Sequence, residues 1–122
     1  MRRPALFIGL FVLFLTLACF APIEPRPDLK FDPARLPAAQ IGVQYEATIT
    51  VTLNVTPVFR ISVAAGNLPN GLKLEYHAND TFAKITGTPT QAGTFQFKVL
   101  AMCLGTNVNG QSGEMEYIIE VK

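Results

Sequence analysis

The sequence predicts an all-β fold, an antiparallel β-sandwich of about seven short strands. Three observations carry this. From about Leu36 onward, apolar residues recur at every second position. Clusters of Gly, Pro and Asn separate the runs. No stretch after Cys19 holds a helical period. At 122 residues the chain has room for one domain and a little more.

The elements follow in order. Met1-Arg2-Arg3-Pro4 is a positive start, and Ala5 to Ala18 then runs without a charge. Those 14 residues match the apolar core of a secretory signal peptide and fall short of the roughly 20 needed to span a bilayer. Thr16-Leu17-Ala18-Cys19 resembles a bacterial lipobox, with Thr16 standing where Leu is usual. The resemblance implies a lipoprotein signal peptide over residues 1–18 and lipid, palmitate included, on Cys19. It also implies a membrane held through that lipid, since two or more acyl chains anchor stably where one is marginal. Phe20, rather than Asp, follows the cysteine and points to the outer membrane of the cell envelope. The alternatives are an ordinary cleaved signal, with Cys19 incidental, or an uncleaved N-terminal anchor. Residues 19–35 hold Pro22, Pro25, Pro27 and Pro33 among charged residues. Proline fixes φ and removes donors, so this stretch reads as an extended tether. The sandwich is expected over residues 36–122.

Tyr45, Ala47, Ile49, Val51 and Leu53 alternate with Glu46, Thr48, Thr50 and Thr52, a strand with one buried face. Val58 to Val63 is the next, with Phe59, Ile61 and Val63 expected inward. Leu72–Tyr76 and Phe82–Thr86 follow. Phe95, Phe97, Val99, Ala101 and Cys103 share one parity of a long strand. Met115, Tyr117, Ile119 and Val121 mark the last, with Glu114, Glu116 and Glu120 on its wet face. Cys103 shares the inward parity and is expected to be buried as a small hydrophobe, the alternatives being a disulfide to another chain or to Cys19.

Two blocks between the strands go beyond periodicity. Gly66-Asn67-Leu68-Pro69-Asn70-Gly71-Leu72-Lys73-Leu74 and Ile85-Thr86-Gly87-Thr88-Pro89-Thr90-Gln91-Ala92-Gly93-Thr94-Phe95-Gln96-Phe97-Lys98-Val99 stand in order after Leu36-Pro37 and Gly42-Val43-Gln44-Tyr45-Glu46-Ala47. They resemble the "G-x-LP-x-GL-x-L" and "I-x-GTP-x-x-AG-x-(F/Y)-x-F-x-V" segments of the Putative Ig domain family of bacterial surface proteins. The resemblance implies an Ig-like antiparallel β-sandwich, related to cadherin-like domains, after the N-terminal signal peptide. The physical reading of both blocks is scaffold: glycines for unusual backbone, prolines for stiff turns, and Leu68, Leu72 and Leu74 as core plugs.

No catalytic constellation accompanies the scaffold. His77 is the only histidine, beside Asn79 and Asp80, with no nucleophile elbow or oxyanion motif near Ser62 or Ser112. Calcium is not expected, because Ala101-Met102-Cys103 stands where related domains place a carboxylate. No other metal and no cofactor are expected. A formal net charge of +1 gives no footprint for nucleic acid. The expectation is therefore an envelope-anchored, non-enzymatic protein–protein interaction or structural module whose partner is another envelope protein. Docking would use an exposed sheet edge or the polar loop Gly105–Gly113, where Asn107, Asn109 and Gln111 offer amide hydrogen bonds. The alternative is a carbohydrate-binding or adhesion module at the cell surface. It is weakened by the lack of Trp and the presence of only three Tyr.

Overall fold

Alternating burial along Tyr45–Thr52, designated β2, places Tyr45, Ala47, Ile49 and Val51 inside and leaves the intervening Glu and Thr residues to solvent or its margin. The same logic builds β3 (Val58–Gly66), β4 (Leu72–Tyr76), β5 (Phe82–Gly87), β6 (Gly93–Cys103) and β7 (Ser112–Val121), preceded by a short β1 (Lys30–Asp32). The computed structural model describes residues 24–105 and 109–122. Residues 1–18, expected to be a signal peptide, Cys19 and Asn107 lie outside the described residues. No helix among the described residues is long and apolar enough to cross a membrane.

Two sheets form, one ordered β1-β2-β5-β4 and the other β3-β6-β7, and all strand pairs are antiparallel. Four strands against three in this order is the constant-type immunoglobulin topology. Ile49, Val51 and Ile85 meet Val58, Phe97, Val99, Tyr117 and Ile119 between the sheets, all essentially fully buried. The Phe97 and Tyr117 rings lie across β6 and β7 with centroids 6.1 Å apart.

Three expectations are corrected. The stretch read as tether enters the fold: β1 pairs with β2, and Leu29 and Phe31 join the core. A three-residue edge strand with one inward aromatic is too short to show its period, and an edge tolerates a neighbouring Pro33. Leu53 is not inward. Its φ is 65°, β2 ends at Thr52, and the side chain is exposed. Phe59 is also outward, 42% exposed, while Val58 is buried. Val58 pairs with Cys103 but Arg60 with Met102, so Phe59 is the extra residue of a β-bulge that flips the parity.

The two sequence blocks meet at one end of the sandwich. A Cβ on Gly71 would stand 2.0 Å from the Thr88 carbonyl oxygen, and one on Gly87 2.0 Å from that of Gly71. Their φ values are 93° and 136°, a region that side chains resist. Thr90 N–H donates to the Asn70 carbonyl at 3.0 Å, and Pro69 and Pro89 are fully buried beside them. Of the expected core plugs, Leu72 is buried, while Leu68 and Leu74 pack partly buried against it.

Candidate functional site

After β1 the chain leaves its sheet at the cis Asp32-Pro33 peptide and crosses to the other. There Ala39 pairs in parallel with Val121. Ala39 N–H donates to the Glu120 carbonyl at 2.8 Å, Lys122 N–H to the Ala39 carbonyl at 3.0 Å, and Ile41 N–H to the Lys122 carbonyl at 3.0 Å. These bonds show that the even-numbered residues at this end of β7 direct their backbone groups away from β6. The β6–β7 register continues without a shift from Gly93↔Val121 to Met102↔Ser112. By the two-residue period, Ile118, Glu116 and Glu114 present their N–H and C=O groups along the same outer edge.

Over that part of β7 the crossing segment stands off. Ala34, Arg35, Leu36 and Ala38 on one side and Glu116, Tyr117, Ile118 and Glu120 on the other line an open groove of about 440 Å³. Tyr117 Oη donates to the Pro33 carbonyl at 2.9 Å, and Tyr45 Oη to the Pro37 carbonyl at 2.9 Å, so both ends of the segment are fixed. Burial pushes both phenols up to about 12, with the Asp32 charge a lesser contribution at Tyr117. Ile118 is 48% exposed at the groove, an apolar residue flanked by glutamates. On the same sheet face Lys98 Nζ lies 3.3 Å from a Glu114 carboxylate oxygen, and Gln96 Nε2 donates to Glu116. Lys84 Nζ pairs with Glu46 on the other sheet, at 3.5 Å.

The loop expected to bind is divided by the structure. Asn109 is exposed, and its carbonyl accepts from Arg26 Nη1 at 3.4 Å. Gln111 is not available as a contact. It is only 9% exposed, and its side chain is consumed internally. Nε2 donates to the carbonyls of Pro27 at 2.6 Å and Leu53 at 3.0 Å, and Oε1 accepts from Val55 N–H at 2.7 Å. A short amide between Gly110 and Ser112-Gly113 looks solvated in sequence, yet here it ties the N-terminal segment to the β2–β3 turn. His77 is largely exposed at its turn, 3.9 Å from Asp80. Cys103 is a buried free thiol whose pKa burial raises, against a smaller lowering by Arg26. Among the described residues no group of His, Cys, Asp and Glu could hold a metal ion.

The sequence pattern of the family described as Putative Ig domain matches residues 28–122. The chain belongs to the Putative Ig domain family. The match begins just before β1, as the structure does, and not at Leu36. No curated protein matches the Ig-like chain in sequence. Among solved structures it is similar to PapD-like domain 7 of human CEP192, with TM-score 0.56 and 10% identity, covering 84% of this chain and 92% of that one. It is similar to the SrpA adhesin of Streptococcus sanguinis, with TM-score 0.54 and 13% identity over 84% of this chain. It also resembles part of an endo-fucoidan hydrolase of glycoside hydrolase family 107, with TM-score 0.53 and 20% identity over 72% of this chain. The Ig-like chain spans 60% of the adhesin and 12% of the hydrolase. At these identities the likeness is one of fold.

Proposed function

We propose that the chain is a non-enzymatic interaction module of the cell envelope, anchored by lipid on Cys19, that docks an extended segment of another envelope protein along the free edge of β7. One observation carries this reading: the outward backbone groups of Glu116 and Ile118 face a groove instead of a strand. An added strand would satisfy them with main-chain hydrogen bonds, and its alternate side chains would enter between Leu36 and Ile118. The adhesin-like neighbour is compatible with such a role. The carbohydrate alternative is disfavoured because all three tyrosines turn their hydroxyls inward, Tyr76 to the Val58 carbonyl at 2.9 Å.

The test uses the full chain in cells with a photo-cross-linking side chain at position 118 or 109. The reading expects a discrete cross-linked partner from 118 and none from 109. Glu116→Pro, made alongside the probe at 118, should abolish it while sparing the fold, because Glu116 N–H faces outward along the same edge, where proline is tolerated. Cross-linking from 118 that survives Glu116→Pro, or that comes only from 109, overturns the edge as the site. Anchoring is checked separately by intact mass. An acylated N-terminal Cys19 is expected, and Cys19→Ser should release the protein to the soluble fraction or leave residues 1–18 attached.

A further inference from the structure

Exposed apolar side chains gather at the end of the sandwich where the N-terminal segment enters. Leu53 and Val55 lie on the β2–β3 turn, Leu104 follows β6, and Phe59 bulges out of β3 beside Val58. Leu53 and Val55 are tied together by Gln111, which donates to the Leu53 carbonyl and accepts from Val55 N–H. Leu104 N–H donates to the Pro57 carbonyl at 2.9 Å, and its own carbonyl accepts from Thr56 Oγ1 at 2.6 Å. The same Gln111 holds the Pro27 carbonyl, so the entering chain is pinned to this end. Lys122 lies at the opposite end, beyond the ten residues of β7, about 33 Å of strand.

We infer that this apolar tip seats in the headgroup–acyl boundary of the bilayer that carries the anchor. The inference rests on the reading that the chain is anchored near Cys19. Pro27 is eight positions beyond Cys19, a separation of at most about 28 Å even when fully extended. A proline-rich path is shorter, about 25 Å. A tip pinned within that reach meets the lipid surface at high effective concentration. The entering segment and the strand ends on this side carry both signs in equal number, Arg26, Lys30 and Arg60 with Glu24, Asp28 and Asp80. Apolar contact, rather than attraction to anionic lipid, is therefore the driving interaction, and it should be insensitive to salt.

The chain contains no tryptophan, so a single indole reports its own surroundings. The full anchored chain carrying Leu104→Trp, or Val43→Trp at the far end as control, is reconstituted in phosphatidylcholine vesicles with and without brominated acyl chains. The expected result is a blue shift and bromine quenching for Leu104→Trp only, unchanged by salt or by added phosphatidylglycerol, and lost when Leu53→Ser and Val55→Ser are added. If the chain floats with the vesicles but both indoles stay solvent-like, the tip inference falls while the anchor stands. If the chain does not float, the anchor fails and the tip inference with it. A blue shift without bromine quenching that grows with protein density would assign the tip to a second copy and overturn the lipid assignment.

Discussion

Replacing Gln111 with alanine removes three partly buried hydrogen bonds at once, to Pro27, Leu53 and Val55. Each bond contributes a net of roughly 0.5–1.5 kcal/mol. Water can reach the two loop carbonyls after truncation, so the expected loss is about 2–3 kcal/mol and not the upper sum. A domain of this length has a total stability of roughly 5–14 kcal/mol, so the loss is a large fraction. Urea unfolding followed by circular dichroism reads it directly, as a midpoint lowered by about 2 M if the slope is about 1–1.5 kcal/mol/M. Native-state hydrogen exchange should quicken at Val55 N–H first. Asn109→Ala, two residues away and exposed, should stay within about 0.5 kcal/mol of the parent. Gln111→Glu keeps the acceptor for Val55 N–H but sets a carboxylate against two carbonyl oxygens. It should therefore cost at least as much as alanine at neutral pH and recover in part when acid restores one donor. A loss below about 0.5 kcal/mol for Gln111→Ala, or a glutamate variant as stable as the parent at neutral pH, would refute the assignment of this side chain as an internal tie.

The remaining predictions address core, turns and titration. Phe97→Ala should cost about 3–5 kcal/mol, against little for the exposed Gln96→Ala, in the same urea assay. Gly87→Ala should exceed about 3 kcal/mol or prevent folding, because backbone stands 2.0 Å from the new Cβ. Gly42→Ala, with φ 74° and nothing within 4 Å, should cost only the left-handed penalty of about 1–2 kcal/mol. Between pH 10 and about 12 the unfolded chain ionises its tyrosines while folded Tyr45 and Tyr117 keep their protons. Stability is therefore complete below pH 10 and falls as pH rises through that window, by a few kcal/mol in order of magnitude, and Tyr117→Phe should reduce the fall. Cys103 should resist a thiol reagent in the native domain and react on unfolding, as burial and its raised pKa require.

Much of the sandwich was legible because alternation is written in side chains. Tyr45 to Val51 and Phe97 to Cys103 are buried on the expected parity. Errors arose where backbone geometry interrupts the period. The bulge at Phe59 turns Val58 inward and Phe59 outward before Ile61 resumes the expected side, and nothing in Val58-Phe59-Arg60 announces it. β1 carries one inward residue, Phe31, among prolines and charges, too few positions to show alternation. Gln111 had the composition of a solvated loop and became a buried tie, because whether an amide is free depends on which carbonyls the fold brings beside it.

The same distinction explains why the family blocks speak to fold and not to function. Their residues record contact between two turns: Gly71 and Gly87 let backbones approach, and Pro69 and Pro89 fill the space between. That end of the sandwich must be built in nearly one way, so it leaves a side-chain signature. The groove beside β7 arises differently. It exists because residues 34–38 stand away from the strand before Ala39 rejoins it, and because Ile118 and Glu116 turn main-chain groups outward. Main-chain donors and acceptors are the same whatever the side chain, so an edge poised for strand addition has almost no residue code. Ile118 is its one side-chain trace, an exposed apolar residue in an otherwise acidic outward row of Glu114, Glu116 and Glu120. A substitution of Ile118 by glutamate would complete that row. It should leave the β6 ladder intact and act only on whatever seats in the groove.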